Sequence, residues 1–179
     1  MGIATLHDLG VSGAVLQMFS HGLMTALFFA TTGVIYDRTH TRDITILQGL
    51  AKRMKFTTAF FTVAGLTSLG LPGLSGFVAE LLVFLGVFHS FGAWGIVLGC
   101  LGVTGAAITA VYILRLLSTI FYGPPKEQLD SHVDTSRVEG FAAAVLVGLI
   151  LLVGLYPFPF VRVIASGVDP LLGHYVGHG

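Results

Sequence analysis

Apolar residues fill most of the chain, and its polar positions gather mainly in two stretches, 37–55 and 123–136, that divide it into four apolar segments. A bilayer core takes about 20 helical residues, so each segment is long enough to cross one. Spans are expected at 11–36, 56–92, 94–122 and 137–156. The second is too long for one straight helix and is interrupted near 70–75. There Pro72 has no N–H for the carbonyl of Ser68 and clashes with it, while Gly70, Gly73 and Gly76 let the backbone leave helical geometry. The pattern predicts two half-helices, roughly 56–69 and 75–91, meeting inside the membrane, with Ser75 as the N-cap of the second. Non-helical backbone at that depth has to be satisfied by protein or water, so the break predicts a polar, hydrated pocket. The fold class expected is an all-α polytopic membrane helix bundle with about four transmembrane spans, one of them discontinuous.

Composition supports this reading and closes off others. Hydrophobic residues make up 54% of the 179 and charged residues 10%, and mean hydropathy is +0.88, values that mark an integral membrane protein. The formal charge is zero, with no basic patch interleaved with aromatics, which argues against nucleic-acid binding. Cys100 is the single cysteine, so an intrachain disulfide, an iron–sulfur centre and a cysteine zinc site are excluded. The first residues lack a basic region and a cleavage site, so the first apolar segment reads as a span rather than a signal peptide. No nucleotide loop, nucleophile constellation or catalytic carboxylate pair is present, and the chain is expected to have no catalytic site of its own.

Two titratable residues stand out inside the apolar segments. Glu80 lies little more than one turn inside the second half-helix, next to the break. A carboxylate at the bilayer centre costs roughly 3 kcal/mol even on lenient insertion scales, and such residues face a bundle interior or an aqueous cavity. The positive end of the half-helix favours its charged form and removal from water the neutral one, a balance suited to proton exchange; the alternative is that proline and glycine merely kink an ordinary membrane helix and Glu80 is neutral or paired for structural reasons. His21 lies near the middle of the first span, where Gln17, His21, Thr25 and Thr32 fall in one narrow sector. A histidine there is either a packing residue bonded to a neighbouring helix or a proton relay, since its unperturbed pKa is near neutrality. Gln17, Thr25, Ser68 and Ser75 are candidate polar lining for the pocket. His174 and His178 in the tail are a weak metal signal, and no metal site is assigned.

The loop 37–55 carries Arg38, Arg42, Lys52, Arg53 and Lys55 against Asp37 and Asp43, an excess that marks the cytoplasmic side. Loops 37–55 and 123–136 are then cytoplasmic, and both termini face the periplasm or its equivalent. Arg115, within seven residues of the end of the third span, is expected to snorkel toward the cytoplasmic surface, with a place in the ion path as the alternative. Ser136 and Glu139 form a capping box that opens the last span, Pro157 ends it, and the tail beyond Phe160 carries turn residues without a defined element.

The segments SHGLMTALFF around His21, YDRTHTRDI with GLAKRMK, SLGLPGLSGFVAELLVFLG and IFYG together resemble the antiporter-like membrane subunits of respiratory complex I, the chain 4 (subunit M) branch in particular. The resemblance covers about 11–157. It implies a proton-translocating membrane-arm subunit with no cofactor of its own, driven by quinone reduction elsewhere in the complex. In that family a histidine before the basic loop and a glutamate in the second half of the broken helix belong to a central polar axis, and by motif these match His21 and Glu80. It further implies a bacterial inner membrane, with other membrane-arm subunits, upstream helices of the same subunit, protons and lipid as partners. The family's chains have fourteen spans, and this sequence resembles the last four, without the earlier broken helix and its lysine. A subunit of a multisubunit Na+/H+ antiporter or membrane-bound hydrogenase, and a truncated scaffold that conducts nothing, are the competing readings.

Overall fold

A computed structural model describes residues 1–124 and 134–176, with side chains through residue 173. Its helices are α1 (Asp8–Thr39), α2 (Lys55–Ser68), α3 (Ser75–Ser90), α4 (Ala93–Ile120), α5 (Arg137–Leu155) and α6 (Phe158–Val176), and no strand occurs among the described residues. The chain is an all-helical membrane bundle: α1, α4 and α5 are each long and apolar enough to span a bilayer, and α3 is a shorter apolar helix. Most of loop 123–136 lies outside the described residues, as do His178 and the side chain of His174.

The first helix is the axis of the bundle and touches α2, α3, α5 and α6. It starts at Asp8, where His7 Nδ1 accepts the Leu9 N–H at 3.2 Å, and ends past Thr39 in a left-handed turn at His40, whose N–H closes on the Tyr36 carbonyl. Its 32 residues give a rod of about 48 Å at 1.5 Å per residue, longer than the roughly 30 Å hydrocarbon core. Layers of core follow one another along it. Leu16 packs with Ala79 and Val153, and Leu27 with Ala64, Ala143 and Ile150. Val34 and Ile35 pack with Met54, Phe61, Leu117 and Phe121. The closest approach is to α3, through glycines: a Cβ on Gly13 would stand 2.8 Å from Val83 N, and one on Gly86 2.6 Å from Gly10 N.

At the basic end of the bundle α1, α2 and α5 are clipped together. Arg38 at the end of α1 pairs with Glu139 at 2.7 Å, and the same Glu139 oxygen accepts the Ser136 N–H while Ser136 Oγ accepts the Glu139 N–H, a closed capping box. Asp134 caps a different helix, α2: its carboxylate accepts the Phe56 N–H at 2.8 Å, the Thr57 N–H at 3.2 Å and the Thr57 hydroxyl at 2.8 Å. Partial burial pushes Asp134 up, but the hydrogen bonds from Phe56, Thr135 and Thr57 outweigh it and hold the carboxyl below its ordinary range. The stabilisation it supplies is therefore full above the unfolded carboxylate pKa, about 3.9, and is lost as pH falls through the lower folded value. Asp134→Ala should destabilise the solubilised protein by about 1 kcal/mol at neutral pH, and the difference from wild type should close on acidification. Thermal unfolding in detergent across a pH series reads both.

The structure differs from the sequence expectation in the tail, which is helix α6 rather than turns. Phe160, Val161 and Ile164 pack on the Leu16 layer, Val168 and Leu172 are buried, and the Phe19 and Phe160 rings stack at 6.2 Å. Farther along, Asp169 and Leu172 line a cavity with His7 and Asp8, so α6 runs back along the N-terminal half of α1. Those apolar positions recur at helical spacing, and tertiary burial carries the helix through Gly167 and Pro170 despite their low propensity.

Candidate functional site

The break between α2 and α3 is a hydrogen-bonded structure. Gly70 is left-handed at φ 60°, its N–H bonds to the Thr67 carbonyl at 3.1 Å, and the Leu71 N–H reaches the Leu66 carbonyl at 3.5 Å. This pairing is a Schellman motif with glycine at the position that has to be left-handed. Two further turns, Leu74 N–H to Leu71 and Phe77 N–H to Leu74, lead into α3. Pro72 is exposed on the loop, and Gly73 is left-handed at φ 91°. Gly76, expected to let the backbone leave helical geometry, is instead helical within α3 and lets the start of α3 lie on α2, where a Cβ would stand 2.6 Å from the Thr67 carbonyl oxygen.

Ser75 has a different part from the N-cap expected of it. The cap position is Leu74, extended and without a side-chain bond, and Ser75 is the first helical residue. Its hydroxyl is fully buried and meets Ser20 Oγ at 2.7 Å, a link between α3 and α1. Sequence spacing along α3 carries no information about Ser20, which lies 55 residues away.

Glu80 is half-buried, and its carboxylate turns back toward the break: Oε2 occupies the place that a Cβ on Gly70 would take. No hydrogen bond or ion pair engages it among the described residues. It lines a cavity of about 310 Å³ with Gln17 of α1, Val83 of α3, and Ala106 and Thr109 of α4. A neighbouring cavity of about 350 Å³ is lined by His21, Met18 and Ala14 of α1 and again by Gln17 and Val83. His21 is exposed on α1, not buried as its place near the middle of the span leads one to expect, and Glu80 and His21 stand at adjoining cavities rather than in contact. Thr25 and Ser68 are turned to their own helices, donating to the His21 carbonyl at 2.6 Å and the Gly65 carbonyl at 2.7 Å. Thr109, absent from the sequence-derived set, also donates to its own helix, at the Gly105 carbonyl 3.1 Å away, but lines the Glu80 cavity because α4 packs its glycine face on α3, with Gly95 and Gly99 against Phe88 and Gly102 against Phe84. Its signal in the sequence is a hydroxyl in an otherwise Gly/Ala-rich span.

A carboxylate with space for water beside it can in principle exchange protons. Among the described residues no group of three or more His, Cys, Asp or Glu could hold a metal ion.

The pattern of the family described as "NADH:quinone oxidoreductase/Mrp antiporter, TM" matches residues 1–109, which include α1, the break and Glu80. The chain is 45% identical over 163 residues to NAD(P)H-quinone oxidoreductase chain 4 of Acaryochloris marina, covering 88% of this chain and 30% of that one. It is 40% identical over 178 residues to NAD(P)H-quinone oxidoreductase chain 4 2 of a Picosynechococcus strain, covering 96% and 34%. The chain therefore spans about a third of the length of these relatives. Among solved structures it superposes on a chain of respiratory complex I from Thermus thermophilus with TM-score 0.81 at 28% identity, covering 96% of this chain and 36% of that one. It also superposes on a chain of the Mrp complex from Dietzia sp. with TM-score 0.82 at 19% identity, covering 96% and 39%, a likeness of fold.

Proposed function

Since the chain belongs to the NADH:quinone oxidoreductase/Mrp antiporter transmembrane family, we propose that it forms the proton-translocating portion of a membrane-arm subunit of an NAD(P)H-quinone oxidoreductase. Quinone reduction elsewhere in the assembly drives it, and Glu80 and His21 carry the protons. Its partners are the other membrane-arm subunits and the further helices that its longer relatives possess, and it sits in a bacterial inner membrane with the basic loop 37–55 cytoplasmic and both termini periplasmic. The identity to chain 4 proteins supports the complex. The observation that carries the proton role is the placement of Glu80, its carboxylate free of protein partners among the described residues and set against Gly70 at the helix break, on a cavity shared with Gln17 and Thr109.

Two glycines of the break provide the test. Gly70 and Gly73 are both left-handed, so alanine at either costs about 1–2 kcal/mol of backbone strain. A methyl at Gly70 displaces the Glu80 carboxylate, whereas one at Gly73 meets only Leu155 Cδ2, at 3.7 Å. Gly70→Ala should lower the number of protons translocated per quinone reduced in vesicles, and Gly73→Ala should leave that ratio near wild type. Equal ratios in the two variants would mean that the position of the carboxylate does not matter to transport.

A further inference from the structure

We infer that Gln17 is the positioning residue that joins Glu80 to His21, its amide holding water between their two cavities; this rests on the reading that those two residues carry protons. Gln17 Oε1 is buried and has no hydrogen-bond partner among the described residues. Its side chain lines both the Glu80 cavity and the His21 cavity. Gln17 precedes His21 by four positions, so the two share one face of α1.

A buried amide oxygen without a protein partner is costly unless water serves it. Cavities of about 310 and 350 Å³ have space for several molecules at about 30 Å³ each. An amide suits the place because it accepts at oxygen and donates at nitrogen without titrating. It therefore orients water toward a carboxyl on one side and an imidazole on the other, and never becomes a proton trap. The neighbouring hydroxyls are otherwise engaged, Ser20 with Ser75 and Thr25 with the His21 carbonyl. The alternative is that Gln17 only fills space between α1 and α3.

The two roles separate in the assembled complex with Gln17→Met, which keeps the length and removes both polar ends. Assembly is read on a native gel, and transport as protons translocated per quinone reduced in vesicles. The expected result is normal assembly with the ratio reduced about threefold, the order expected for one lost hydrogen-bonded link. Gln17→Met/His21→Ala should be no worse than His21→Ala alone, because the link then leads nowhere. A wild-type ratio in Gln17→Met beside an impaired Glu80→Gln would overturn the role of Gln17 and leave Glu80 as carrier, whereas wild-type ratios in both would overturn both. Losses that simply add in the double variant would also overturn the link. Should Gln17→Met not assemble, Gln17→Leu is read in the same way, and failure of both apolar variants to assemble would assign Gln17 to packing instead.

Discussion

Gly86→Val should leave the membrane with almost no assembled complex containing this chain. The crossing of α1 and α3 is a backbone contact: a Cβ at Gly86 lands on the Gly10 backbone, 2.6 Å from its nitrogen, and neither atom belongs to a side chain that can swing away. The helices have to separate, and with them go the Ser20–Ser75 bond and the Leu16, Ala79 and Val153 layer below it. Overpacking usually costs 1–3 kcal/mol, and a site closed by backbone belongs at or above the upper end, on the order of a hundredfold in the folded population. Gly86→Ala should already lower the yield, since the first carbon is the one that collides. Gly148→Ala, at a glycine of α5 with nothing within 4 Å, should not. Native-gel quantities of the complex from matched membranes measure the series, and full assembly of Gly86→Val would refute the close α1–α3 crossing.

The parts of this fold that can be read along the chain are those set by local chemistry. A proline among glycines in an apolar run can only be an interruption, and Ser136 with Glu139 closes its box within one turn. What cannot be read are contacts between residues distant in sequence. Arg38 finds Glu139 from 101 residues away and Asp134 caps α2 from 77 and 78, each depending on how α1, α2 and α5 end at one level. The reassigned Ser75 and the added Thr109 have the same origin, for both are placed by a partner helix. The helical tail escaped for another reason. Its apolar spacing is present, but Gly167, Pro170 and Gly173 outweigh it locally, and only burial against α1 reverses the balance. Gln17 and His21 share a face by spacing alone, yet their relation to Glu80 exists only because Gly13 and Gly86 bring α3 so close to α1.

Glu80→Gln should assemble normally and lose about a hundredfold or more of its coupled proton transport, the lower end of the range that a proton-transferring side chain commands. The amide keeps the size and hydrogen-bonding capacity of the acid, so it fits beside Gly70 and on the cavity wall, but it cannot take up and release a proton. Glu80→Asp should keep part of the activity, because the carboxyl survives but is drawn back by one methylene from Gly70 and toward α3. A structural role makes the opposite pair of predictions: the amide is tolerated, and the shortened acid, which leaves a gap, is the more damaging change. The ordering of the two variants therefore separates the roles. The deciding measurement is the ratio of protons translocated to quinone reduced in vesicles carrying Glu80→Gln, with the same membranes run on a native gel. An intact complex whose ratio collapses is the predicted result, and an intact complex that pumps at the wild-type ratio would contradict the assignment of Glu80 as a proton carrier.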